Sequence, residues 1–326
     1  MQCNPMGLKL LQKLLGLSLF LPLTAFADPQ VVASIKPVHS LVAGVMQGVA
    51  EPRLLVPGGA SPHEYNLRPS DARAINEADI VFWIGPDLES FLVKSLNNAK
   101  GKGKGRSVVL LEAPGVMVLP LRAGGAWEPH QHDHNEHSGH HEDHAHDHDH
   151  ERRTGRDAHI WLDPVNATAM VRQIVATLGE VDSAHRADYE RNGAALVERL
   201  DQLNGQLTAE LAPVKSQTYV VFHDAYQYFE RRYGLSAVGS VVLDPEQRPG
   251  ARRVTGIQAR IRDLGVRCVF GEPQFQPALV ETVIAGSSAR RGVLDPLGAE
   301  LPAGPEAYFQ LLRGLAAALR TCLSGT

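Results

Sequence analysis

Several features that mark large classes of enzymes and nucleic-acid-binding proteins are missing from this chain of 326 residues. It contains no Walker A loop, no HExxH motif and no CxxC pair, and each absence removes an enzyme class. Its 32 Lys and Arg residues stand against 36 Asp and Glu residues, which gives a net charge of −4. Without a basic excess, nothing in the composition points to nucleic acid as a partner.

The N-terminal segment has the composition of a secretory signal. Lys9 and Lys13 precede the apolar run Leu14–Leu23, and Ala25–Ala27 reads Ala-Phe-Ala, a small-x-small cleavage pattern. The run is too short to span a bilayer comfortably, and no cysteine follows the cleavage point to carry a lipid anchor. We therefore expect residues 1–27 to be a signal peptide that is removed on export.

Cysteine is scarce, with three residues in the whole chain. Cys3 belongs to the predicted signal peptide, which leaves Cys268 and Cys322 in the exported protein. In an oxidising compartment a lone pair most simply forms one disulfide bond. Two free buried thiols are the alternative that the sequence leaves open.

Short β-rich runs alternate with amphipathic helical patterns along most of the chain, which favours right-handed crossovers and mainly parallel sheets. One helical pattern is much longer than the others. It begins after Asp182, ends at Pro213, and repeats an apolar residue every three or four positions. The residues of this stripe are Leu196, Leu200, Leu203, Leu207 and Leu211.

We predict an α/β fold of two lobes, each with a mainly parallel β-sheet flanked by helices, joined by this one long rigid α-helix. The predicted N-terminal lobe covers residues 28–181, the linker helix residues 182–212, and the C-terminal lobe residues 213–326. Because a stiff helix offers few hinge residues, we expect ligand binding to tilt the lobes modestly instead of closing them widely.

Residues 130–150 interrupt the alternation with a segment that holds ten histidines and six carboxylates in 21 positions. Such a composition cannot form a core, so we predict a disordered loop. Its imidazoles suit loose binding of zinc, nickel or copper, and an inert solvated insertion is the alternative. The histidines are His130, His132, His134, His137, His140, His141, His144, His146, His148 and His150.

Three further histidines and one aspartate stand at the ends of strand-like runs or just before helices. They are His63 in GASPHEYNLRPSD, His159 in DAHIWLDP, His223 in VVFHDAYQYFE and Asp295 in GVLDPLG. Ligands of open α/β sheets bind beyond the carboxyl ends of the strands, so these side chains can meet between facing lobes. Three imidazoles with a carboxylate or a water form a four-coordinate site that suits zinc.

Together with ADIVFWIGPDLESFL and the histidine-rich segment, these motifs resemble the periplasmic zinc-binding proteins of bacterial ABC importers, the ZnuA type within the cluster A-I solute-binding proteins. The resemblance covers essentially the whole exported chain. It implies zinc in a cleft between two α/β lobes and delivery to a membrane permease driven by a cytoplasmic ATPase. We expect the exported protein to be a monomer in the periplasm. The family's three histidine ligands fall on His63, His159 and His223.

The fourth ligand is left open. Some relatives place a glutamate directly before the first histidine, where this chain has Pro62. Others use an aspartate at the place of Asp295, so Asp295 or water remains for the fourth position.

Two other functions are consistent with the residues. A periplasmic zinc buffer or chaperone could act through residues 130–150 without any permease. A zinc-dependent hydrolase could use three histidines, a bound water and Glu64 as general base, but no second catalytic constellation accompanies that glutamate. We therefore expect a binding protein and not an enzyme.

Overall fold

The structure, a computed structural model, describes residues 28–101, 105–122, 127, 155–242, 245 and 249–325. The predicted signal peptide, residues 1–27, and the histidine-rich segment, residues 130–150, lie outside these residues. None of the helices in the described ranges combines the length and the hydropathy of a membrane-spanning segment.

The N-terminal sheet has four parallel strands in the order β2-β1-β3-β4. Its strands and helices are β1 Val31–Ala33, α1 Lys36–Val45, β2 Arg53–Leu54, α2 Pro69–Glu77, β3 Ile80–Trp83, α3 Ser90–Gly101 and β4 Arg106–Val109. The chain moves outward in one direction from β1 to β2 and in the other from β3 to β4. The strand order therefore reverses between β1 and β3.

The C-terminal sheet repeats this topology with four parallel strands in the order β6-β5-β7-β8. Its elements are β5 Thr218–Val221, α6 Gln227–Tyr233, β6 Ser236–Ser240, α7 Ala251–Asp263, β7 Cys268–Gly271, α8 Ala278–Ile284, β8 Arg290–Val293 and α9 Ala307–Ser324. The strand order reverses between β5 and β7. Two parallel sheets flanked by helices confirm the predicted fold class.

Two helices, α4 Pro164–Val181 and α5 Arg186–Leu211, connect the sheets. All five leucines of the predicted stripe on α5 are buried, so the long linking helix is confirmed. α4 and α5 pack closely at Gly193, because a Cβ there would lie 2.4 Å from Val175 Cγ2. A larger residue at this position would force the two helices apart.

The lobes share one continuous hydrophobic core. It contains buried residues of both sheets together with Leu41 of α1, Met170 of α4, Leu200 of α5 and Leu312 of α9. A smaller cluster lies in the C-terminal lobe and includes Ile257 and Ile261 of α7 with Val280 and Val283 of α8. The final helix therefore packs against elements of both lobes.

Polar contacts also cross between the lobes. Lys36 at the start of α1 donates hydrogen bonds to the carbonyl oxygens of Gly298, Ala299 (2.9 Å) and Leu301 (2.7 Å). Arg232 of α6 donates two to the carboxylate of Asp163, at 2.7 and 2.8 Å. The Lys36 bonds connect the loop after β8 to the N-terminal lobe, and the Arg232 bonds connect α6 to it.

The predicted disulfide bond between Cys268 and Cys322 is present. It joins the first residue of β7 to the last turn of α9. Arg267 and Arg290 donate to the carbonyl oxygens of Leu323 and Cys322 near the same helix end. The end of α9 is thus held to the C-terminal sheet by one covalent bond and two hydrogen bonds.

A fully buried carboxylate, Glu89, lies just beyond the carboxyl end of β3. Glu89 accepts hydrogen bonds from the Ser34 hydroxyl and from the backbone N–H groups of Ile84 (3.2 Å) and Gly85 (2.9 Å). Burial outweighs these bonds and raises the pKa of Glu89 from 4.5 to about 7. The folded protein therefore binds this proton more tightly than the unfolded chain does.

The raised pKa of Glu89 predicts a pH-dependent stability. The contribution of Glu89 to the free energy of unfolding is fully present below about pH 4.5 and is lost as the pH rises through about 7, a change of about 3 kcal/mol. The free energy of unfolding of Glu89→Gln, measured relative to wild type, should therefore rise by about 3 kcal/mol between about pH 4.5 and about pH 8. Urea unfolding of both metal-free proteins across this range measures it, and a stability difference that stays constant with pH would contradict it.

Candidate metal centre

Three histidines from separate segments meet between the lobes. His63 lies in the loop that follows β2, His159 directly precedes a short 3-10 turn, Ile160–Leu162, and His223 follows β5 by two residues. The sequence explains these positions locally. Buried Pro62 stiffens the first loop, and the Ser61 hydroxyl accepts a hydrogen bond from the His63 N–H at 3.3 Å.

One ring nitrogen of each histidine lies within 4.8 Å of a ring nitrogen of each of the other two. Among the described residues, these three side chains form the group that could hold a metal ion. The Nε2 atoms of His159 and His223 are 3.3 Å apart. Two nitrogens bound at about 2.0–2.1 Å to a tetrahedral zinc ion would be separated by roughly 3.3 Å. The spacing of this pair therefore already fits zinc coordination.

Two buried carboxylates orient these two rings. Asp157 Oδ1 lies 2.8 Å from His159 Nδ1, and Glu272 Oε1 lies 2.7 Å from His223 Nδ1. Because a carboxylate accepts, each Nδ1 carries the proton and each Nε2 presents its lone pair to the other ring. Carboxylate–histidine pairs of this kind are how metal sites orient their imidazole ligands.

Two residues of the C-terminal lobe hold Asp157 in position by hydrogen bonds. Gln227 Nε2 donates to Asp157 Oδ2 at 3.0 Å, and the Tyr228 hydroxyl donates to the Asp157 carbonyl oxygen at 2.7 Å. Both residues begin α6, four and five positions after His223. The orientation of His159 in one lobe therefore depends on the helix that follows His223 in the other.

The pKa values of two of the histidines move in opposite directions. Burial lowers the pKa of His63 well below 6.5, and the neighbouring His159 and His223 lower it further. Burial also opposes the charged form of His223, but Glu272 outweighs it, with help from Asp224 and Asp157, and the pKa of His223 is raised. His63 thus stays neutral to lower pH than His223 does.

Asp295, the predicted alternative to water, is engaged elsewhere. Its carboxylate accepts hydrogen bonds from the backbone N–H groups of Leu297 (3.1 Å), Gly298 (2.9 Å) and Ala299, and from Gln274 Nε2 (3.0 Å). It does not belong to the group formed by the three histidines. The structure uses Asp295 to shape the loop after β8, and its role as a ligand stays a prediction.

The pocket around the histidines is mostly apolar. Trp161, Phe275, Pro296 and Leu297 line it beside the three imidazoles. The Trp161 ring is 5.2 Å from the His159 ring, and its Nε1 donates to the Pro296 carbonyl oxygen at 2.8 Å. Such walls limit solvent access and strengthen electrostatic interactions with a bound cation.

The sequence prediction missed Asp157 and Glu272. Both carried a signal, because Asp157 precedes His159 by two residues and Glu272 directly follows β7, the strand beside β5. His223 and Glu272 lie where the strand order of the C-terminal sheet reverses, which is the usual ligand position in such sheets. Glu64, the general base considered for a hydrolase, is exposed and does not line the pocket.

Known zinc-uptake proteins are similar to this chain. The family model described as zinc-uptake complex component A, periplasmic, matches residues 31–322. The high-affinity zinc uptake system protein ZnuA of Brucella suis is 49% identical, with 90% of this chain and 91% of the relative covered. The protein of the same name from Yersinia pestis is 35% identical, with coverage of 91% and 92%.

The fold is shared with solved structures. A zinc-bound ZnuA deletion mutant superposes with a TM-score of 0.73 at 25% identity, covering 92% of this chain and 100% of that one.

Proposed function

Because this chain belongs to the family of the periplasmic component A of zinc-uptake complexes, we propose that it captures Zn²⁺ between its lobes and delivers the ion to the permease of an ABC importer. His63, His159 and His223 bind the ion as neutral imidazoles, and water completes the shell. The single observation that carries the proposal is the convergence of three ring nitrogens from three segments, two of them 3.3 Å apart.

The fourth position falls to water because Asp295 is already occupied. Its carboxylate accepts four hydrogen bonds that organise the loop after β8. Moving it to the metal would leave backbone N–H groups unpaired, and that costs about 1–3 kcal/mol for each one that stays buried. Three neutral imidazoles and a water add no charge of their own to the bound ion.

Capture and delivery involve no chemical conversion of the ion, so the protein acts as a binding protein and not as an enzyme. We propose that it works in the periplasm as a monomer, with a membrane permease and its cytoplasmic ATPase as partners. The family assignment supports this setting. The exposed position of Glu64 weighs against the hydrolase alternative.

Calorimetric titration with zinc tests this function in three exported proteins, namely wild type, His63→Ala and a variant without residues 130–150. We expect one tight site that survives the deletion and disappears with His63. Tight binding that instead follows the deleted segment would mean that the protein is a zinc buffer acting through its histidine-rich segment. His185→Ala controls for the loss of an imidazole as such, since His185 is a partly buried histidine that hydrogen-bonds to Asp182 and does not line the histidine pocket.

Lobe motion on loading should be small. Lys36 and Arg232 bond across the lobes, and Arg122 bonds from the N-terminal lobe to Asp224 and Glu230 beside and within α6. Wide opening would break all of these contacts together. Solution scattering of metal-free and zinc-loaded protein should give closely similar radii of gyration, and a large domain rotation between the two states would contradict this.

Glu272 should matter for zinc affinity although it does not contact the ion. Replacing it in Glu272→Gln removes the negative charge that makes His223 a stronger base, and we expect zinc affinity to fall at least about tenfold. Competition with a chromophoric chelator measures this. Glu281→Gln is the matched control, because Glu281 is exposed on α8 and pairs with Arg291. Equal affinities for the two variants would contradict the role of Glu272.

A further inference from the structure

Gln274 lies two residues after Glu272 and lines the pocket with the three histidines. Its Nε2 donates hydrogen bonds to Asp295 Oδ1 at 3.0 Å and to the Gly58 carbonyl oxygen at 3.3 Å. Both partners can only accept, so the amide nitrogen must face them and the orientation of the amide group is determined. Neither Asp295 nor Gly58 lines the pocket.

The other end of the amide, Oε1, is therefore turned away from those partners. It is buried, and it has no hydrogen-bond donor among the described residues. The remaining buried side-chain atoms that lack a partner belong to residues that do not line this pocket. A buried carbonyl oxygen without a donor is costly, which indicates that a donor approaches it when the site is loaded.

We propose that Gln274 Oε1 accepts a hydrogen bond from the water that occupies the fourth coordination position of zinc. This rests on the proposed zinc-binding function and adds a positioning residue to it. Zinc-bound water is a strong donor because the cation draws electron density from its oxygen. Direct coordination by the amide is disfavoured, since protein ligands of zinc are typically cysteine, histidine and carboxylates.

The assignment also gives the loop after β7 a double function. Glu272 orients the His223 ring through Nδ1, and two residues later Gln274 orients the water that shares the same ion. Gln274 in turn connects this water to Asp295, the residue that shapes the loop after β8. A neutral amide performs this task without adding a negative charge to the site.

The test compares zinc affinities of wild type, Gln274→Leu and Gln274→Glu by chelator competition, with Gln276→Leu as the matched control. Gln276 is exposed on the same loop and does not line the histidine pocket. We expect Gln274→Leu to lose about tenfold or more, and Gln276→Leu to match wild type. Gln274→Glu keeps an oxygen acceptor but loses the donor to Asp295 and Gly58, so its zinc affinity should lie between those of wild type and Gln274→Leu.

The zinc affinities of these variants distinguish failure of the Gln274 inference from failure of the proposed zinc site. If Gln274→Leu binds zinc as wild type does, the inference is wrong while the zinc site stands. If Gln274→Glu loses as much as Gln274→Leu, the residue acts only by holding Asp295 and Gly58, and the inference is again wrong. If wild type shows no tight site that depends on His63, the proposed function itself fails.

A structure of zinc-loaded wild type provides a second measurement that does not depend on how the variants fold. It should show a zinc-bound oxygen about 2.0–2.2 Å from the ion and within hydrogen-bond distance of Gln274 Oε1. A fourth ligand from Asp295, or an Oε1 atom bonded to a protein donor instead, would overturn the inference.

Discussion

Acidification from about pH 8 to about pH 5 should weaken zinc binding at the cleft site by at least about thirtyfold, because the raised pKa of His223 lies above 6.5. A protonated imidazole cannot coordinate a metal, so each ligand that is protonated in the free protein must release its proton on binding. For each such ligand, the apparent affinity falls about tenfold for every pH unit below its pKa.

The three histidines do not contribute equally to this pH dependence. His223 has a raised pKa because Glu272 stabilises its charged form, so its competition with protons begins above about pH 6.5. His63 has a lowered pKa because burial and the two neighbouring imidazoles disfavour its charged form. It therefore adds to the loss only at the acidic end. The affinity should begin to fall in the neutral range and fall more steeply below it.

Chelator competition at several pH values measures this profile, after correction for protonation of the chelator. The protein to use lacks residues 130–150, so that the ten histidines of that segment do not contribute. Glu272→Gln in the same background should shift the start of the decline to lower pH, because the pKa of His223 would no longer be raised. An affinity that stays constant between about pH 8 and about pH 5 would show that imidazoles are not the principal ligands.

The sequence predicted the architecture because local patterns determine it. The leucine stripe of α5 has helical spacing, and all of its residues are buried. His63 and His223 were found because parallel strands place the residues that follow them at one edge of the sheet. The chain after His223 turns before it becomes helical: the Ala225 N–H donates to the His223 carbonyl oxygen, and α6 begins only at Gln227.

Contacts between distant segments could not be predicted in this way. Lys36 reads as an ordinary charged residue at a helix start, yet it donates to three carbonyl oxygens more than 260 positions away. The hydrogen bonds of Asp295 depend on the conformation of the next four residues, which no periodicity encodes. The role of Gln274 depends on which end of an amide faces Asp295, and only the folded structure determines that.

Removal of the disulfide bond should destabilise the protein without affecting the metal site. In the double variant Cys268→Ser with Cys322→Ser, the unfolded chain regains the freedom of a loop that spans 54 positions. The chain-entropy model gives a loss of about 4 kcal/mol in the free energy of unfolding. The native helix should stay docked, because Tyr308, Phe309 and Leu312 remain buried and Arg267 still bonds to the Leu323 carbonyl oxygen.

Zinc affinity should remain unchanged in this variant because the bond and the metal site lie at opposite ends of β7. Cys268 begins the strand, and Glu272 follows its last residue, roughly 13 Å further along the chain at the rise of an extended strand. Urea unfolding and chelator competition on the same samples measure the two effects separately. A tenfold loss of zinc affinity would mean that the position of Glu272 depends on how α9 is held, and that the lobe responds as one unit. Unchanged stability would mean that residual structure already restricts the unfolded chain as much as the covalent bond does.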